Sequence, residues 1–192
     1  RIDRIDSLKN EDGTYLRIID YKSGNRALKQ GDVYYGLQLQ LVTYLDAVLG
    51  MENQEVDEDD AIDGKSVADA GGNNGAGVDG STRVLPAGVL YFRLNDPLIR
   101  CSRRSSKEDI EKAIMKELRM KGLVLADVNL IKAMDKDLEG DSLIIPARIN
   151  KDGSLGRSSA ATQAQFRTLR RYVRKILAEI GSGIVDGDIT IS

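Results

Sequence analysis

The stretch Leu16-Arg17-Ile18-Ile19-Asp20-Tyr21-Lys22-Ser23-Gly24 decides the fold of this chain. An apolar run leads into Asp-x-Lys and then stops at small, turn-forming residues. Side chains of a strand alternate between faces with period two, so Asp20 and Lys22 share a face and Tyr21 takes the other. Upstream, Arg1-Ile2-Asp3-Arg4-Ile5-Asp6 reads as a second, acidic strand. The turn-forming sequence Asn10-Glu11-Asp12-Gly13 joins the two into an antiparallel hairpin with strands near 1–8 and 14–22. A hairpin of this kind brings a carboxylate of the first strand to the same sheet edge as Asp20 and Lys22.

Downstream, Tyr34-Tyr35-Gly36-Leu37-Gln38-Leu39-Gln40-Leu41-Val42-Thr43-Tyr44-Leu45 opens a segment that is apolar almost all round. It predicts one largely buried helix over 32–50. Gln40 and Tyr44 stand four residues apart and so neighbour one another on that helix. Gln38 is the other candidate amide, but only Gln40 has this spacing to Tyr44.

Carboxylates beside an ammonium at a strand end are the groups that metal-assisted phosphodiester hydrolysis needs. Carboxylate oxygens favour hard cations such as Mg²⁺ or Mn²⁺. Histidine is absent, which excludes imidazole as acid, base or ligand within this stretch of chain and leaves carboxylates, Lys and Tyr. The single cysteine, Cys101, allows no intrachain disulfide, which fits a reducing cytoplasm, and it reads as a small apolar filler. The net charge of −2 leaves any nucleic-acid contact to local patches. No apolar run reaches the roughly 18 residues that a membrane helix requires.

The 192 residues suit one domain of 1–192. The stretch 52–82, acidic at first and then rich in Gly, Asn and Asp, predicts a disordered loop. Strands are expected at Val84–Leu94, with Leu98–Ser102 continuing the pairing, and at Ser142–Asn150 before a Lys151-Asp152-Gly153-Ser154 turn. Helices are expected over Ser106–Met120, stopped by Gly122, over 127–135, and over 162–180, ended by Gly181. Phe166, Leu169, Val173, Ile176, Leu177 and Ile180 form the core stripe of the last helix. Arg167, Arg170, Arg171, Arg174 and Lys175 make its remaining surface the strongest basic patch in the chain. The element order predicts an α/β fold with a mixed central sheet flanked by helices.

Asp3 after Ile2, the Ile19-Asp20-Tyr21-Lys22 run and Gln40-x-x-x-Tyr44 together resemble the RecB-type branch of the PD-(D/E)XK nucleases. The likeness is to C-terminal nuclease domains of the AddB type, which belong to bacterial ATP-dependent helicase–nucleases. The stretches Arg1–Asp6, Pro86–Phe92 and Ile184–Ile189 share it. The resemblance implies a restriction-endonuclease-like core and a Mg²⁺- or Mn²⁺-dependent deoxyribonuclease of exonuclease type. It implies metal ligation by Asp3, Asp20 and the Ile19 carbonyl, with Lys22 orienting water and stabilising charge, and Gln40 and Tyr44 bracing the site or touching DNA. Asp6, on the opposite face of a regular strand, is the alternative to Asp3.

It further implies single-stranded DNA as substrate, an AddA-like helicase–nuclease partner, and a role in double-strand break resection. The chain opens at Arg1 without an initiator Met and resembles an excised fragment. Such domains carry an upstream helix that completes the metal site, and cysteines for an iron–sulfur cluster. Neither is expected in this fragment, which should be weak or inactive alone. The alternatives are a non-catalytic DNA-binding or scaffolding module that keeps the fold, and a Cas4-type RecB-like exonuclease.

Overall fold

A computed structural model describes residues 1–53, 83–100 and 104–187. The greater part of the loop expected at 52–82, together with Cys101, Ser102 and the end of the Ile184–Ile189 stretch, lies outside the described residues. The architecture is α/β. A five-stranded mixed sheet has the order β1-β2-β3-β4-β7, and a two-stranded ribbon, β5-β6, lies apart from it.

The hairpin forms as the turn chemistry predicts. β1 (Arg4–Asn10) and β2 (Gly13–Lys22) pair antiparallel. The Asn10 carboxamide oxygen accepts the backbone N–H groups of Asp12 and Gly13, closing the turn. β1 is the exposed sheet edge and carries charge along its length, which discourages further strand addition. β3 (Val84–Arg93) runs parallel to β2 and is buried on both faces until its last two residues. It tolerates Pro86, which lacks an N–H, because the ladder shifts register there and passes over Ala87.

The single helix expected over 32–50 is two: α1 (Gln30–Tyr34) and α2 (Gln40–Asn53). Gly36, at φ +74°, breaks them. Gln38 then folds back, donating to the Asp32 carboxylate at 2.9 Å and accepting the Lys29 N–H at 3.2 Å. α2 lays Leu41, Leu45 and Leu49 on the sheet against Ile18, Val89 and Tyr91. Val42 packs instead with Val33 and Val173. The opposite sheet face, with Ile19 and Leu90, is covered by Ile131, Ile145 and Ile149.

α3 (Lys107–Leu118) starts at a reciprocal capping box between Ser106 and Asp109. Gly122 does not stop this helix. It lies inside β4 (Lys121–Leu125), antiparallel to β3, where φ is +153° and a Cβ would collide with the Val89 carbonyl. α4 (Val128–Met134) is capped by Asp127.

The strand expected at Ser142–Asn150 shrinks to β6 (Arg148–Ile149), paired with β5 (Gly140–Asp141). The Ser142 hydroxyl donates to the buried Asp135 carboxylate and accepts the N–H groups of Ile144 and Ile145. This bends an apolar run that would otherwise extend. The 151–154 turn forms as expected, with Gly153 at φ +82°. Leu98–Arg100 is not strand.

β7 (Ala160–Ala161) closes the sheet on β4 and leads into α5 (Gln163–Val185) through a Thr162–Gln165 capping box. α5 runs through Gly181, which has φ outside the left-handed region, and ends before Gly187 at φ +72°. Phe166 and Val173 are fully buried, whereas Leu177 and Ile180, expected in the core stripe, are exposed. The basic surface is not uniform either: Arg170 and Arg174 turn inward, each donating to the Asp46 carboxylate of α2 at 2.8 Å. These pairs lock α5 to the helix that carries Gln40.

Candidate active site

β2 delivers Asp20 to the sheet face covered by α2, in register with Tyr91 of β3. The aspartate is almost fully buried, at 3% exposure. Burying a carboxylate is costly unless a cation accompanies it, and here the cation is Lys22, whose Nζ lies 2.6 Å from Asp20 Oδ2. That contact is not aligned as a hydrogen bond, so Oδ2 is enclosed without a hydrogen-bond donor.

The ammonium is aimed by α2. Lys22 Nζ donates to Gln40 Oε1 at 3.0 Å, and Gln40 Nε2 donates to Tyr44 Oη at 2.8 Å. Lysine has only donors, so it fixes which end of the amide faces it and leaves the NH₂ for Tyr44. The (i, i+4) spacing read from sequence thus places both residues in one relay with Lys22. Gln38, the alternative amide, is committed to the α1–α2 loop.

Asp3 precedes β1. The ladder pairs Arg4 with Ile19, so one step outward sets Asp3 opposite Asp20. Its Oδ2 accepts the Tyr21 N–H at 2.9 Å. Asp6 instead binds Arg17 at 2.6 Å and Arg4 at 2.7 Å. Burial raises the Asp6 pKa, but the hydrogen bonds from Arg4 and Arg17 outweigh it and hold the carboxyl below its ordinary value. A carboxyl depressed on folding stabilises above its unfolded pKa, and this contribution is lost as pH falls through the lower, folded value. Asp6→Asn is therefore expected to cost stability at about pH 7 and progressively less toward about pH 3, as urea melts across that range would show.

Two residues at the site carry no sequence motif of their own. Tyr91 is buried beside Asp20, with Lys22 Nζ 5.8 Å from its ring centroid. Burial, then the Asp20 charge, pushes its phenol pKa up, so it stays a neutral hydrogen-bonding group. Arg93 follows two residues on, in register with Lys22. The parallel β2–β3 pairing that brings them here is the signal: strand–helix–strand order implies it, and period two then selects 91 and 93.

The donor set fits a hard divalent cation. It comprises a buried carboxylate with one oxygen lacking a hydrogen bond, a second carboxylate across the ladder, and the Ile19 carbonyl, whose side chain is committed to the core. Among the described residues no group of three or more Asp, Glu, Cys or His side chains is placed to hold a metal. Mg²⁺ is often held by only one or two carboxylates, with water and substrate phosphate supplying the rest.

A family model described as PD-(D/E)XK nuclease superfamily matches residues 1–189. The chain belongs to the PD-(D/E)XK nuclease superfamily. It is 54% identical over 193 aligned residues to the B subunit of the ATP-dependent helicase/deoxyribonuclease of Acetivibrio thermocellus, and 51% identical to that of Ruminiclostridium cellulolyticum. A protein of the same name from a Thermoanaerobacter species is 40% identical. In each case all of this chain aligns, and it spans 15% of the relative's length. The resemblance to AddB-type nuclease domains holds at this level. Among the described residues no helix is long and apolar enough to cross a membrane.

Gln40 holds the Lys22 ammonium through its 3.0 Å hydrogen bond. Gln40→Leu is expected to lower kcat for DNA cleavage about 10–100-fold with little change in KM. Tyr44→Phe should cost less, because the amide keeps its bond to Lys22. A gel-based cleavage time course over a range of substrate concentrations checks both.

Proposed function

We propose that this chain is the nuclease domain of an AddB-like helicase–nuclease and hydrolyses single-stranded DNA in a Mg²⁺- or Mn²⁺-dependent reaction of exonuclease type. The observation that carries this reading is the buried Asp20 paired with a Lys22 ammonium aimed by Gln40 and Tyr44. Asp20, Asp3 and the Ile19 carbonyl would hold the cation. When bound, it supplies positive charge and an activated water at the scissile phosphate.

Lys22 sits at the mouth of this set, a quarter exposed, its Nζ held by a hydrogen bond to Gln40 Oε1 and by the charge of Asp20. It donates to the attacking water or to a non-bridging phosphate oxygen, where negative charge grows as water adds to phosphorus and the bond to the 3′ oxygen breaks. A donor fixed in advance reorganises little during the reaction, and one such donor is worth about 10²–10³ in rate. The buried Tyr91 and the apolar packing of Ile18 and Leu41 limit water around Asp20 and strengthen these interactions.

The full-length protein is expected to assemble with an AddA-like helicase–nuclease partner in the cytoplasm. There, unwinding would feed single strands to this site during double-strand break resection and recombinational repair. The names of the relatives, with both helicase and deoxyribonuclease in them, support this reading. End-labelled single-stranded and duplex oligonucleotides offered to the full-length protein test it. Degradation of the single strand in Mg²⁺, stopped by chelator, is expected. Equal cutting of both substrates without ATP would contradict the strand preference.

A further inference from the structure

We propose that Arg93 is a substrate-binding residue of this site, its guanidinium reserved for a backbone phosphate of the strand laid over Asp20 and Lys22. The proposal rests on the nuclease reading and names a contact that the Asp-x-Lys pattern does not contain.

The ladder fixes where Arg93 stands. It is the register partner of Lys22 in the parallel β2–β3 pair, and the Leu94 N–H donates to the Lys22 carbonyl just beyond it, so its backbone is pinned. Adjacent strands lie about 4.8 Å apart. The face follows from its neighbours. Phe92 packs edge-on against Tyr21 in one core, while Tyr91 lies in the other core with Lys22 over its ring. Alternation then returns Arg93 to the face of Tyr91, Asp20 and Lys22.

The chemistry follows from what Arg93 lacks. Its Nε is buried without a hydrogen-bond partner, and among the described residues no carboxylate pairs with it. Arg4, Arg17, Arg148, Arg170 and Arg174 each donate to an aspartate. Arg17 also has an unpaired buried nitrogen, but its Nε and other terminal nitrogen are tied to Asp6. A structural arginine buries its donors against acceptors. One that stands in register beside a catalytic lysine with no carboxylate of its own is poised for an acceptor that arrives with substrate. The planar fork matches two phosphate oxygens, which a lysine at that position would not do. Lys22 then serves the reacting atoms, and Arg93 sets the register of the strand.

The test is steady-state cleavage of a short oligodeoxythymidylate by the full-length protein carrying Arg93→Gln or Arg93→Lys. Arg93→Gln should raise KM about five- to tenfold and leave kcat within about twofold. It should also flatten the slope of log kcat/KM against log salt by about 0.7, one phosphate's share on a single strand. Arg93→Lys should restore the slope but only part of the affinity. Unchanged KM and slope in Arg93→Gln would overturn the proposal. If that variant fails to fold, wild-type KM in Arg93→Lys overturns it instead. Should the wild-type protein cut nothing, the nuclease reading fails by itself. Equilibrium binding of the same strand then decides: a weaker, less salt-dependent complex with Arg93→Gln upholds the phosphate contact, and an unchanged one ends it.

Discussion

Asp20→Asn is expected to lower Mg²⁺-supported DNA cleavage at least about 10³-fold while the protein stays folded. The carboxylate has two roles that the amide cannot fill. It is the buried member of the proposed ligand set, and its charge holds the Lys22 ammonium at 2.6 Å. Asparagine keeps the shape, so packing against Tyr91 and α2 survives, but a neutral oxygen binds a hard cation poorly. Lys22 is not left stranded: a quarter of it is exposed and Gln40 Oε1 still accepts from it. The loss should therefore appear in kcat, with an unchanged circular dichroism spectrum. Lys22→Met should cost about 10²–10³, the share of one fixed donor. Cleavage within a few-fold of wild type in Asp20→Asn would remove this aspartate from the chemistry.

Gly122→Val is expected to damage the fold severely away from the site, at a cost of at least about 3 kcal/mol. Gly122 has φ +153°, and an added Cβ meets the Val89 carbonyl of the central strand, a backbone atom that cannot swing away. A β-branched residue must both strain its own backbone and pry β4 off β3. β4 is also the strand on which β7 pairs, and β7 leads into α5, so the damage reaches the helix that clamps Asp46. Against a typical net stability of about 5–15 kcal/mol, urea melts should show the midpoint fall by about 1–2 M. Gly88, whose added Cβ would lie 2.8 Å from the Leu123 carbonyl, should respond in the same direction and less severely.

These two positions show what the sequence makes legible. Asp20 and Lys22 stand at the end of a long apolar strand with a clear turn on either side, so period two alone puts them on one face. Gln40 and Tyr44 are readable as a pair from helical spacing. The choice between Asp3 and Asp6, open in the sequence, turns on cross-strand register. Arg17 captures Asp6, while Asp3 falls opposite Asp20.

Gly122 reads as a helix stop because glycine ends helices and also permits close strand approach, and a five-residue strand carries too little periodicity to decide. β7, with two residues, carries none. The Leu143-Ile144-Ile145 run looks like a strand, and only the buried Ser142–Asp135 contact turns it. Tyr91 and Arg93 carry no signal in their own residue types; they are found only by first inferring from strand–helix–strand order that β3 lies parallel beside β2 and then applying period two.

The most direct test of the central claim, that a divalent cation binds at Asp20 beside Lys22, is a calorimetric titration of Mn²⁺ into the full-length protein and its Asp20→Asn variant, without nucleotide. Binding in the wild type that disappears in the variant is the predicted result. Equal Mn²⁺ affinity in the two proteins would contradict it and move the metal, and the chemistry, away from this strand.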